Sequence, residues 1–245
     1  MPAPERSPRV FSRLSERVAM ARLSPLARGV RQANLTYLSP AKLAALEEAL
    51  DDVERDNVPG DFLEFGVALG GSAILISARL DGARSFHGYD VFGMIPSPGE
   101  GDDARSHERY AEIKEGRSKG IGGETYYGYV EDLYARVCDS FRAYGLQPGQ
   151  GRITLHRGLF EETLDPADRT PVALVHIDCD WHQPVAFCLA AIRHRLSPGA
   201  RVVLDDYNDY GGCRRAVDTF LEAHSDIRML RSSPNAVLVV EDIRT

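Results

Sequence analysis

Residues 58–72 read VPGDFLEFGVALGGS, and this stretch decides the fold. The turn residues at 58–60 precede an apolar run that predicts a strand at 61–67, and the glycines at 70–71 predict the start of a helix that continues to about residue 80. A second apolar run at 85–90 predicts the next strand. A strand, a helix and a second strand in this order indicate an α/β fold with a parallel sheet.

The same alternation continues along the rest of the chain without an internal repeat. It predicts further strands at 153–156, 172–178, 201–205 and 236–241, and helices at 129–144, 184–195 and 213–224. Residues 93–128 interrupt it with a stretch rich in glycine, serine and charge, which is too long for an ordinary connection. Such stretches are typical of lids and binding loops, so a lid loop is predicted at about 93–128.

The first 57 residues are predicted to form a helical arm or cap in front of a single α/β domain at 58–245. Apolar spacing predicts a helix at 10–22, and Ser39-Pro40 marks the N-cap and first residue of a helix at 40–56. Residues 1–31 hold seven Arg and two Glu, whereas the rest of the chain is acidic. This contrast favours packing of the arm on a second copy of the chain, and a homo-oligomer is predicted. A disordered arm and an organellar targeting segment are the alternatives.

Composition narrows the range of partners. The 245 residues carry a formal net charge of −7 at pH 7, which argues against a nucleic-acid partner because phosphate backbones bind basic surfaces. No apolar run approaches the roughly 20 residues that span a bilayer, so no membrane association is predicted. The four cysteines include no CxxC pair, which favours free thiols in a reducing compartment. A cytoplasmic protein with a small-molecule substrate is predicted.

The stretch at 58–72 also predicts a ligand site. Glu64 comes near the end of the first strand, and the glycines after it bring the first turn of a helix close to any ligand there. Helix N-termini attract carboxylates and phosphates. The order ExGxxxGG differs from the GxGxxG of dinucleotide sites, and Asp90 closes the next strand where doubly wound sheets bind ribose hydroxyls. An adenosyl ligand with an α-amino carboxylate satisfies both features. A plain strand–turn–helix and a helix-capping Asp90 are the alternatives.

Two later strands each deliver a pair of acids. Asp178 and Asp180 follow the apolar run that begins at 172, and Asp205 and Asp206 follow the run that begins at 201. Four carboxylates at neighbouring strand ends repel one another at neutral pH, and a hard cation such as Mg²⁺ would offset this repulsion. Separately solvated turn acids are the alternative.

Cys179 and His182 lie next to these acids and raise the alternative of zinc. The absence of structural-zinc spacing and the number of carboxylates disfavour it. Cys179 is expected to point away from the acids, because neighbouring residues at a strand end face opposite sides. His182 is expected to cap a helix or contact substrate, or to act as a general base.

Aromatic side chains indicate what kind of molecule binds beside the acids. Residues 120–129 read GIGGETYYGY, and Trp181 follows the first acid pair. Aromatic faces with hydroxyl edges suit sugars and ring compounds. Packing of the tyrosines against the core is the alternative.

Four motifs together resemble the macrocin O-methyltransferase family over about residues 33–240. They are VPGD at 58–61 running into ExGVxxGGS, the Asp178-x-Asp180 pair, LSPG at 196–199 and DDY at 205–207. The resemblance implies a class I methyltransferase fold, which is Rossmann-like and doubly wound, with N-terminal helices, a mainly parallel seven-stranded sheet and an antiparallel last hairpin. It implies an S-adenosylmethionine-dependent O-methyltransferase that acts on a sugar hydroxyl of a natural product or glycoconjugate, as in antibiotic biosynthesis.

The resemblance also implies roles for individual residues. The donor would be surrounded by Glu64, Gly66, Gly70, Gly71 and Ser72 at its methionine end, by Asp90 at the ribose, and by Gly158 and Leu159 at the adenine. The metal ion would be bound by Asp178, Asp205 and Asp206, with Asp180 as the base and His182 as the second catalytic candidate. Leu159 stands where the family usually has tryptophan. Residues 181–184 (WHQP) differ from those expected in macrolide-sugar enzymes, which leaves the acceptor open.

A mechanism follows from the chemistry of methyl transfer. The metal ion can chelate two neighbouring hydroxyls of the acceptor and lower the pKa of one, while Asp180 accepts its proton. The rival enzyme class is a metal-dependent phosphohydrolase, which would need Ser or Thr two residues after Asp180 and a lysine near the acids. His182 stands at that position, and no lysine lies beyond Lys119. A non-catalytic subunit that binds an adenosyl ligand is a further alternative, and the intact Asp180 argues against it.

Overall fold

The computed structural model describes residue 16 and residues 18–242. Parts of the helix predicted at 10–22 and of the basic arm at 1–31 therefore lie outside the described residues. Residues 18–22 are helical and lead to α1 (Pro25–Gln32), which Ser24 caps by accepting a hydrogen bond from the backbone N–H of Ala27 at 3.1 Å. Among the helices that the structure describes, none combines the length and apolar character needed to cross a bilayer.

In the described part of the chain, seven strands form one sheet in the order β3-β2-β1-β4-β5-β7-β6. They are β1 (Asp61–Phe65), β2 (Phe86–Asp90), β3 (Ile153–Arg157), β4 (Val172–Ile177), β5 (Leu196–Leu204), β6 (Ile227–Arg231) and β7 (Ala236–Val240). β1 to β5 pair in parallel, whereas β7 runs antiparallel to both β5 and β6. This topology confirms the doubly wound, mainly parallel sheet with an antiparallel last hairpin.

Strand β6 is the one that the residue pattern did not assign. It lies at the edge of the sheet, where it pairs with β7. Its sequence IRMLR places arginines among the apolar residues, and Arg228 forms an ion pair with Glu241 at 2.5 Å. Charged residues are common on edge strands, and here they hide the apolar alternation that identifies a strand.

The remaining helices pack against the sheet or extend from its strand ends. They are α2 (Pro40–Arg55), α3 (Gly71–Ser77), α4 (Ala104–Lys114), α5 (Leu133–Ala143), α6 (Phe160–Thr163), α7 (His182–Ile192) and α8 (Gly211–Ala223). Every residue of β4 is buried, which is why this strand reads as an unbroken apolar run. Leu43, Leu46 and Leu50 of α2 belong to the same hydrophobic core as the strands. Residues on both sides of the boundary predicted at 57–58 therefore share one core.

Residues 93–128, which we call the lid segment, contain the 11-residue helix α4. Asp103 caps this helix by accepting a hydrogen bond from the backbone N–H of Ser106 at 3.0 Å. The buried residues of α4 are Ser106 and Ile113, so the helix lacks an apolar stripe that a hydrophobic period could reveal. The prediction of a loop throughout this segment is therefore wrong, because a capped, mostly polar helix forms its middle.

Candidate active site

Two adjoining cavities lie at the carboxyl ends of the central strands. The larger cavity has a volume of about 470 Å³ and the smaller one about 280 Å³. Tyr127, Asp178 and Asp180 line both cavities and so form the boundary between them. Doubly wound sheets bind their ligands at this place, outside the carboxyl ends of the strands.

The larger cavity contains part of the predicted donor site. Gly66, Asp90 and Leu159 line it, together with Phe160. Much of the rest of its wall comes from the lid segment between residues 93 and 99, from the turn after β4 and from the beginning of α7. Its volume lies in the range of small-molecule and cofactor pockets.

The turn after β1 is built around Gly66 and Asp90. Gly66 has a φ of +92°, and a side chain there would overlap the carbonyl oxygen of Asp178. One carboxylate oxygen of Asp90 accepts the backbone N–H groups of Val67 at 2.8 Å and Ala68 at 2.9 Å, and the other accepts that of Phe92 at 2.6 Å. Burial raises the pKa of Asp90, and these three N–H donors oppose the rise. Asp90 thus holds the turn in shape at the wall of the larger cavity.

Other predicted donor residues lie behind this wall. Gly70, Gly71 and Ser72 are buried, and they line neither cavity. The backbone N–H of Gly71 donates to the carbonyl oxygen of Leu35 at 2.9 Å, so the chain before α2 covers the first turn of α3. Gly158 also lies outside both cavity walls, although its neighbour Leu159 lines the larger one.

Glu64 is fully buried between strands and faces His176, its register partner on β4. The Nδ1 atom of His176 lies 2.7 Å from Oε1 of Glu64. Burial alone would lower the pKa of His176, and the Glu64 carboxylate outweighs this effect, so the pKa is raised. Oε2 of Glu64 and Nε2 of His176 have no hydrogen-bond partner among the described residues. Glu64, two residues before Gly66, therefore keeps one buried carboxylate oxygen without a hydrogen-bond partner in the described part of the chain.

The predicted metal ligands converge. Asp178, Asp205 and Asp206 each offer a carboxylate oxygen, and these oxygens lie within 4.8 Å of one another. Burial raises the pKa of Asp178 and of Asp206 well above the usual value, and the neighbouring carboxylates raise both further. The three side chains form a set of hard oxygen donors of the kind that Mg²⁺ prefers. The donor set therefore fits a hard divalent cation.

Asp180 lies beside this cluster at the boundary of the two cavities. Its φ is +58°, an uncommon backbone conformation for a residue other than glycine, and such conformations concentrate at functional sites. Its backbone N–H donates to Oδ2 of Asp206 at 3.0 Å. Burial raises the pKa of Asp180 to about 6. The Asp180 carboxyl group is therefore mostly ionised at neutral pH and can accept a proton.

A cation from the N-terminal part of the chain reaches the acids. Nζ of Lys42 on α2 donates to Oδ2 of Asp205 at 2.7 Å, to Oδ2 of Asp209 at 2.7 Å and to the carbonyl oxygen of Asp205 at 2.9 Å. The expectation that no lysine lies near the acids is therefore wrong. Lys42 is 163 residues away from Asp205 in the chain, and no local pattern indicates this contact.

The smaller cavity combines tyrosines with cations. Tyr37, Tyr126, Tyr127 and Tyr210 line it, as do Arg105 and Arg109 of α4. Burial raises the pKa of Tyr126, Tyr127 and Tyr210, so their hydroxyls are neutral at physiological pH. The two arginines were not predicted, because α4 was not recognised as a helix. A helical spacing of i and i+4 in residues 105–109 is the signal that places both guanidinium groups on one side of α4.

His182 lies outside both cavities. It begins α7, and its backbone N–H donates to Oδ1 of Asp102 in the lid segment at 2.7 Å. Its ring packs so closely against Gly101 that a side chain at that position would overlap it. Trp181 and Gln183, on either side of it in the chain, line the larger cavity instead. This placement supports contact with the lid segment and gives no support to His182 as a base.

The zinc alternative also lacks support. Among the residues that the structure describes, the converging group of metal-ligand side chains consists of the three aspartates. Burial raises the pKa of the Cys179 thiol well above its usual value, and this thiol contacts the thiol of Cys188. The four cysteines are free thiols, as expected.

Adjacent acids hold the lid segment against the domain. Asp102 accepts the first backbone N–H of α7, and Oδ2 of Asp103 accepts that of Gly211, the first residue of α8, at 2.8 Å. The indole N–H of Trp181 donates to the carbonyl oxygen of Pro96 at 2.9 Å. The lid segment is therefore attached to the two helices that follow the acid pairs, and it supplies wall residues to both cavities.

Comparisons with known proteins identify a family and a fold that this chain shares with others. The family model described as Macrocin-O-methyltransferase (TylF) matches residues 21–230. The chain is 31% identical to an 8-demethyl-8-(2,3-dimethoxy-alpha-L-rhamnosyl)-tetracenomycin-C 4'-O-methyltransferase of Streptomyces olivaceus, over 76% of this chain and 67% of that protein. It is 29% identical to a mycinamicin III 3''-O-methyltransferase of Micromonospora griseorubida, over 77% and 71%. The solved O-methyltransferase NovP superimposes with a TM-score of 0.69 at 22% identity, over 94% of this chain and 99% of that one.

Proposed function

The chain belongs to the macrocin O-methyltransferase family, and from this premise we propose that it methylates a sugar hydroxyl of a natural product or glycoconjugate with the help of a divalent metal ion. The coarser activity follows from the family: the protein is an S-adenosylmethionine-dependent O-methyltransferase with the class I fold. The observation that carries the proposal is the convergence of Asp178, Asp205 and Asp206 at the boundary between two cavities.

The larger cavity is the proposed donor site. Gly66, Asp90 and Leu159 would contact S-adenosylmethionine there, because they line the wall. Glu64 would act from beneath the turn, since its unpaired Oε2 suits the donor's ammonium group. Gly70, Gly71, Ser72 and Gly158 would shape the turns that bear the wall residues.

The smaller cavity is the proposed acceptor site. Its tyrosines offer aromatic faces and neutral hydroxyls, which suit the apolar faces and hydroxyl groups of a sugar. Of the described residues that line it, five are aspartates and three are Lys or Arg. One divalent cation would balance these charges, which favours an acceptor without a charge of its own. The names of the two relatives specify methylation at 4'-O and 3''-O positions, and the name of the first includes a rhamnosyl group.

The chemistry assigns the protein's side chains distinct tasks. A hydroxyl must lose its proton as its oxygen attacks the sulfonium methyl group, and Asp180 stands at the cavity boundary to accept that proton. Asp178, Asp205 and Asp206 would hold the cation. When bound, Mg²⁺ or another hard cation lowers the pKa of a hydroxyl that coordinates it and fixes its orientation. The lid segment and Trp181 would exclude water from the junction.

Family membership sets aside the phosphohydrolase and the non-catalytic subunit. The metal requirement is tested by incubating the protein with donor and neutral glycosides, with Mg²⁺ or with excess chelator, and detecting the added methylene group by mass spectrometry. We expect transfer with Mg²⁺ and little in chelator. Full activity in chelator would remove the metal from the mechanism. Calorimetry with S-adenosylmethionine alone would still test whether the protein binds the donor.

We also propose that the protein is a homo-oligomer. Residues 1–31 carry a basic charge in the sequence, whereas the rest of the chain is acidic, so charge as well as apolar packing would favour association between copies. Light scattering of the full chain at micromolar concentration in moderate salt should give more than one chain mass. A monomer under these conditions would contradict the proposal.

A further inference from the structure

A cation of the protein itself already lies within the acid cluster. The side chain of Lys42 is 16% exposed and that of Asp205 is 8% exposed, and their ion pair is 2.7 Å long. This contact links one of the proposed metal ligands to the N-terminal part of the chain.

The backbone that carries Lys42 is fixed in place. The neighbouring residues Leu43 and Leu46 are fully buried in the core, and Ser39 caps the same helix by accepting the backbone N–H of Lys42 at 3.3 Å. The ammonium also donates to Asp209 at 2.7 Å and to the carbonyl oxygen of Asp205. Three acceptors and a helix packed in the core therefore hold the Lys42 ammonium group next to Asp205.

A divalent cation at the aspartates would share Asp205 with this ammonium. Two cations that share one carboxylate repel each other, and even at an effective dielectric constant of about 20 this repulsion exceeds what a tenfold change in affinity requires. In the absence of a metal ion, the same ammonium offsets repulsion among Asp205, Asp206 and Asp209. The two effects have opposite consequences for folding and for metal binding.

We propose that Lys42 is a built-in counter-ion of the metal site, which stabilises the acid cluster without metal and weakens the binding of the divalent cation. The proposal rests on the metal site given under the proposed function. With Lys42 in place, the aspartates alone would bind the divalent cation less tightly. Oxygen atoms of the acceptor would then supply a larger share of the cation's binding energy. If Lys42 only positioned Asp205, its replacement would misplace a metal ligand and weaken metal binding. Replacement of a counter-ion should instead strengthen metal binding.

The test is a titration of the full chain with Mn²⁺ or Mg²⁺ by calorimetry, without donor or acceptor. Lys42→Met removes the charge and keeps an apolar stem of similar length. We expect this variant to bind the cation at least about tenfold more tightly than the unmodified protein. In excess chelator it should unfold at a lower temperature than the unmodified protein, and saturating metal should raise its unfolding temperature by the larger amount. Lys114→Met, at an exposed position of α4, controls for the loss of one positive charge and should bind the cation as the unmodified protein does.

The outcomes separate the two proposals. Equal or weaker binding by Lys42→Met, with measurable binding by the unmodified protein, would overturn the counter-ion role and leave the metal site in place. No binding of either cation by any variant would overturn the metal site and the counter-ion role together. If Lys42→Met does not fold, Lys42→Gln replaces it, because glutamine keeps a hydrogen-bond donor for Asp205 without the charge. Tighter binding by Lys42→Gln is then the expected result.

Discussion

The ends of β1 and β2 and the ends of β4 and β5 both carry buried acids, but the surroundings of these acids differ. At β1 and β2, Glu64 pairs with His176, and Asp90 accepts three backbone N–H groups. After β4 and β5, the carboxylates of Asp178, Asp205 and Asp206 face one another within 4.8 Å. At the first pair of strand ends, each acid lies opposite a histidine or backbone N–H groups. At the second pair, the acids also have partners, namely Lys42 for Asp205 and the Asp180 N–H for Asp206, but their carboxylates lie close to one another.

The shifts in pKa reflect this difference. Burial raises the pKa of Asp90. The three backbone N–H donors lower this pKa, whereas the nearby carboxylate of Glu64 raises it. For Asp178 and Asp206, burial and the neighbouring carboxylates act in the same direction, so the pKa rises well above its usual value. A buried acid with partners in its own chain is explained by the fold. Several buried acids that repel one another need a further explanation, and a bound cation provides one.

The largest effect is expected at Asp180, which stands at the boundary of the two cavities. Asp180→Asn keeps the shape of the side chain and removes its ability to accept a proton. Turnover should fall roughly 10²- to 10⁴-fold, the usual contribution of a positioned base, while donor and metal affinities change little. Steady-state kinetics with calorimetry of donor and Mg²⁺ binding separates these effects.

His182→Ala is the matched control for this variant. Its ring lies against Gly101 outside both cavities, so its loss should lower turnover much less than Asp180→Asn. The reverse order, with His182 essential and Asp180→Asn impaired in metal binding, would make the histidine the base and Asp180 a ligand.

The second prediction compares how an acid bound by backbone N–H groups and an acid of the aspartate cluster affect the free energy of unfolding. Asp90→Asn should lower the free energy of unfolding by about 2 kcal/mol, because an amide cannot accept all three N–H groups and leaves a buried donor unpaired. Asp178→Asn should raise it in excess chelator, since it removes one charge from the repelling cluster. Denaturant unfolding of both variants in chelator measures the difference. Destabilisation of similar size in both would mean that the two sets of acids do not differ.

The comparison also separates what the sequence could predict from what it could not. Asp178 and Asp205 were predicted to meet because each follows an apolar parallel strand, and the carboxyl ends of such strands lie at one edge of the sheet. The contact of Lys42 with Asp205 joins residues 163 apart, and Lys42 on its own helix has no feature that distinguishes it from a solvent-exposed lysine. Local pattern therefore predicts the acids but not their counter-ion.

The lid segment shows a second limit of local pattern. Its helix α4 buries Ser106 and Ile113 and is otherwise polar, so its residues 105–109 could not be placed against the acids. The glycine turn shows a third limit. The motif that contains Glu64, Gly70 and Gly71 predicted a ligand site at the strand ends, where a cavity lies, yet none of these three residues lines that cavity. A motif locates a turn, whereas the packing around the turn decides which atoms face the cavity.

The third prediction uses pH to measure the repulsion. The pKa of Asp180 is raised to about 6, and the pKa values of Asp178 and Asp206 are also raised well above their usual value, in each case mainly by burial. A group with a raised pKa in the folded state binds its proton more tightly when folded, so its stabilising effect is complete below the unfolded value near 3.9 and is lost as the pH rises through the folded value. In chelator, Asp180 alone should therefore lower the free energy of unfolding by about 1 kcal/mol between pH 5 and pH 7.5, and Asp178 and Asp206 should add to this fall.

Excess Mg²⁺ should reduce this fall, because a cation stabilises the ionised acids. Asp178→Asn provides the control, since it removes one member of the cluster and should flatten the dependence in chelator. The range from pH 5 to pH 7.5 avoids the titration of acids such as Asp56 and Asp103, whose pKa values are lowered. A stability that rises with pH in chelator, and is unaffected by Asp178→Asn, would contradict the electrostatic description of the cluster.

The smallest effect is expected in the lid segment, whose adjacent acids resemble Asp90 because they accept backbone N–H groups. Asp102 and Asp103 bind the first N–H of α7 and of α8, the helices that follow the two acid pairs. A carboxylate at a helix N-terminus contributes about 0.3–1 kcal/mol. Asp102→Asn should therefore increase hydrogen exchange in residues 93–128 and raise the KM for the acceptor by about two- to fivefold, while kcat changes little.

This pattern distinguishes a lid from a fixed wall. If the segment opens to admit ligands, weakening one attachment shifts its closing equilibrium, and saturating acceptor restores both exchange protection and turnover. If the segment is a permanent wall, Asp102→Asn lowers the unfolding temperature by an amount that ligand binding leaves unchanged, and exchange in residues 93–128 is the same with and without donor product and acceptor. Glu108→Gln, at an exposed position of α4, is the control because it also removes one carboxylate from the lid segment. It should leave exchange and KM unchanged.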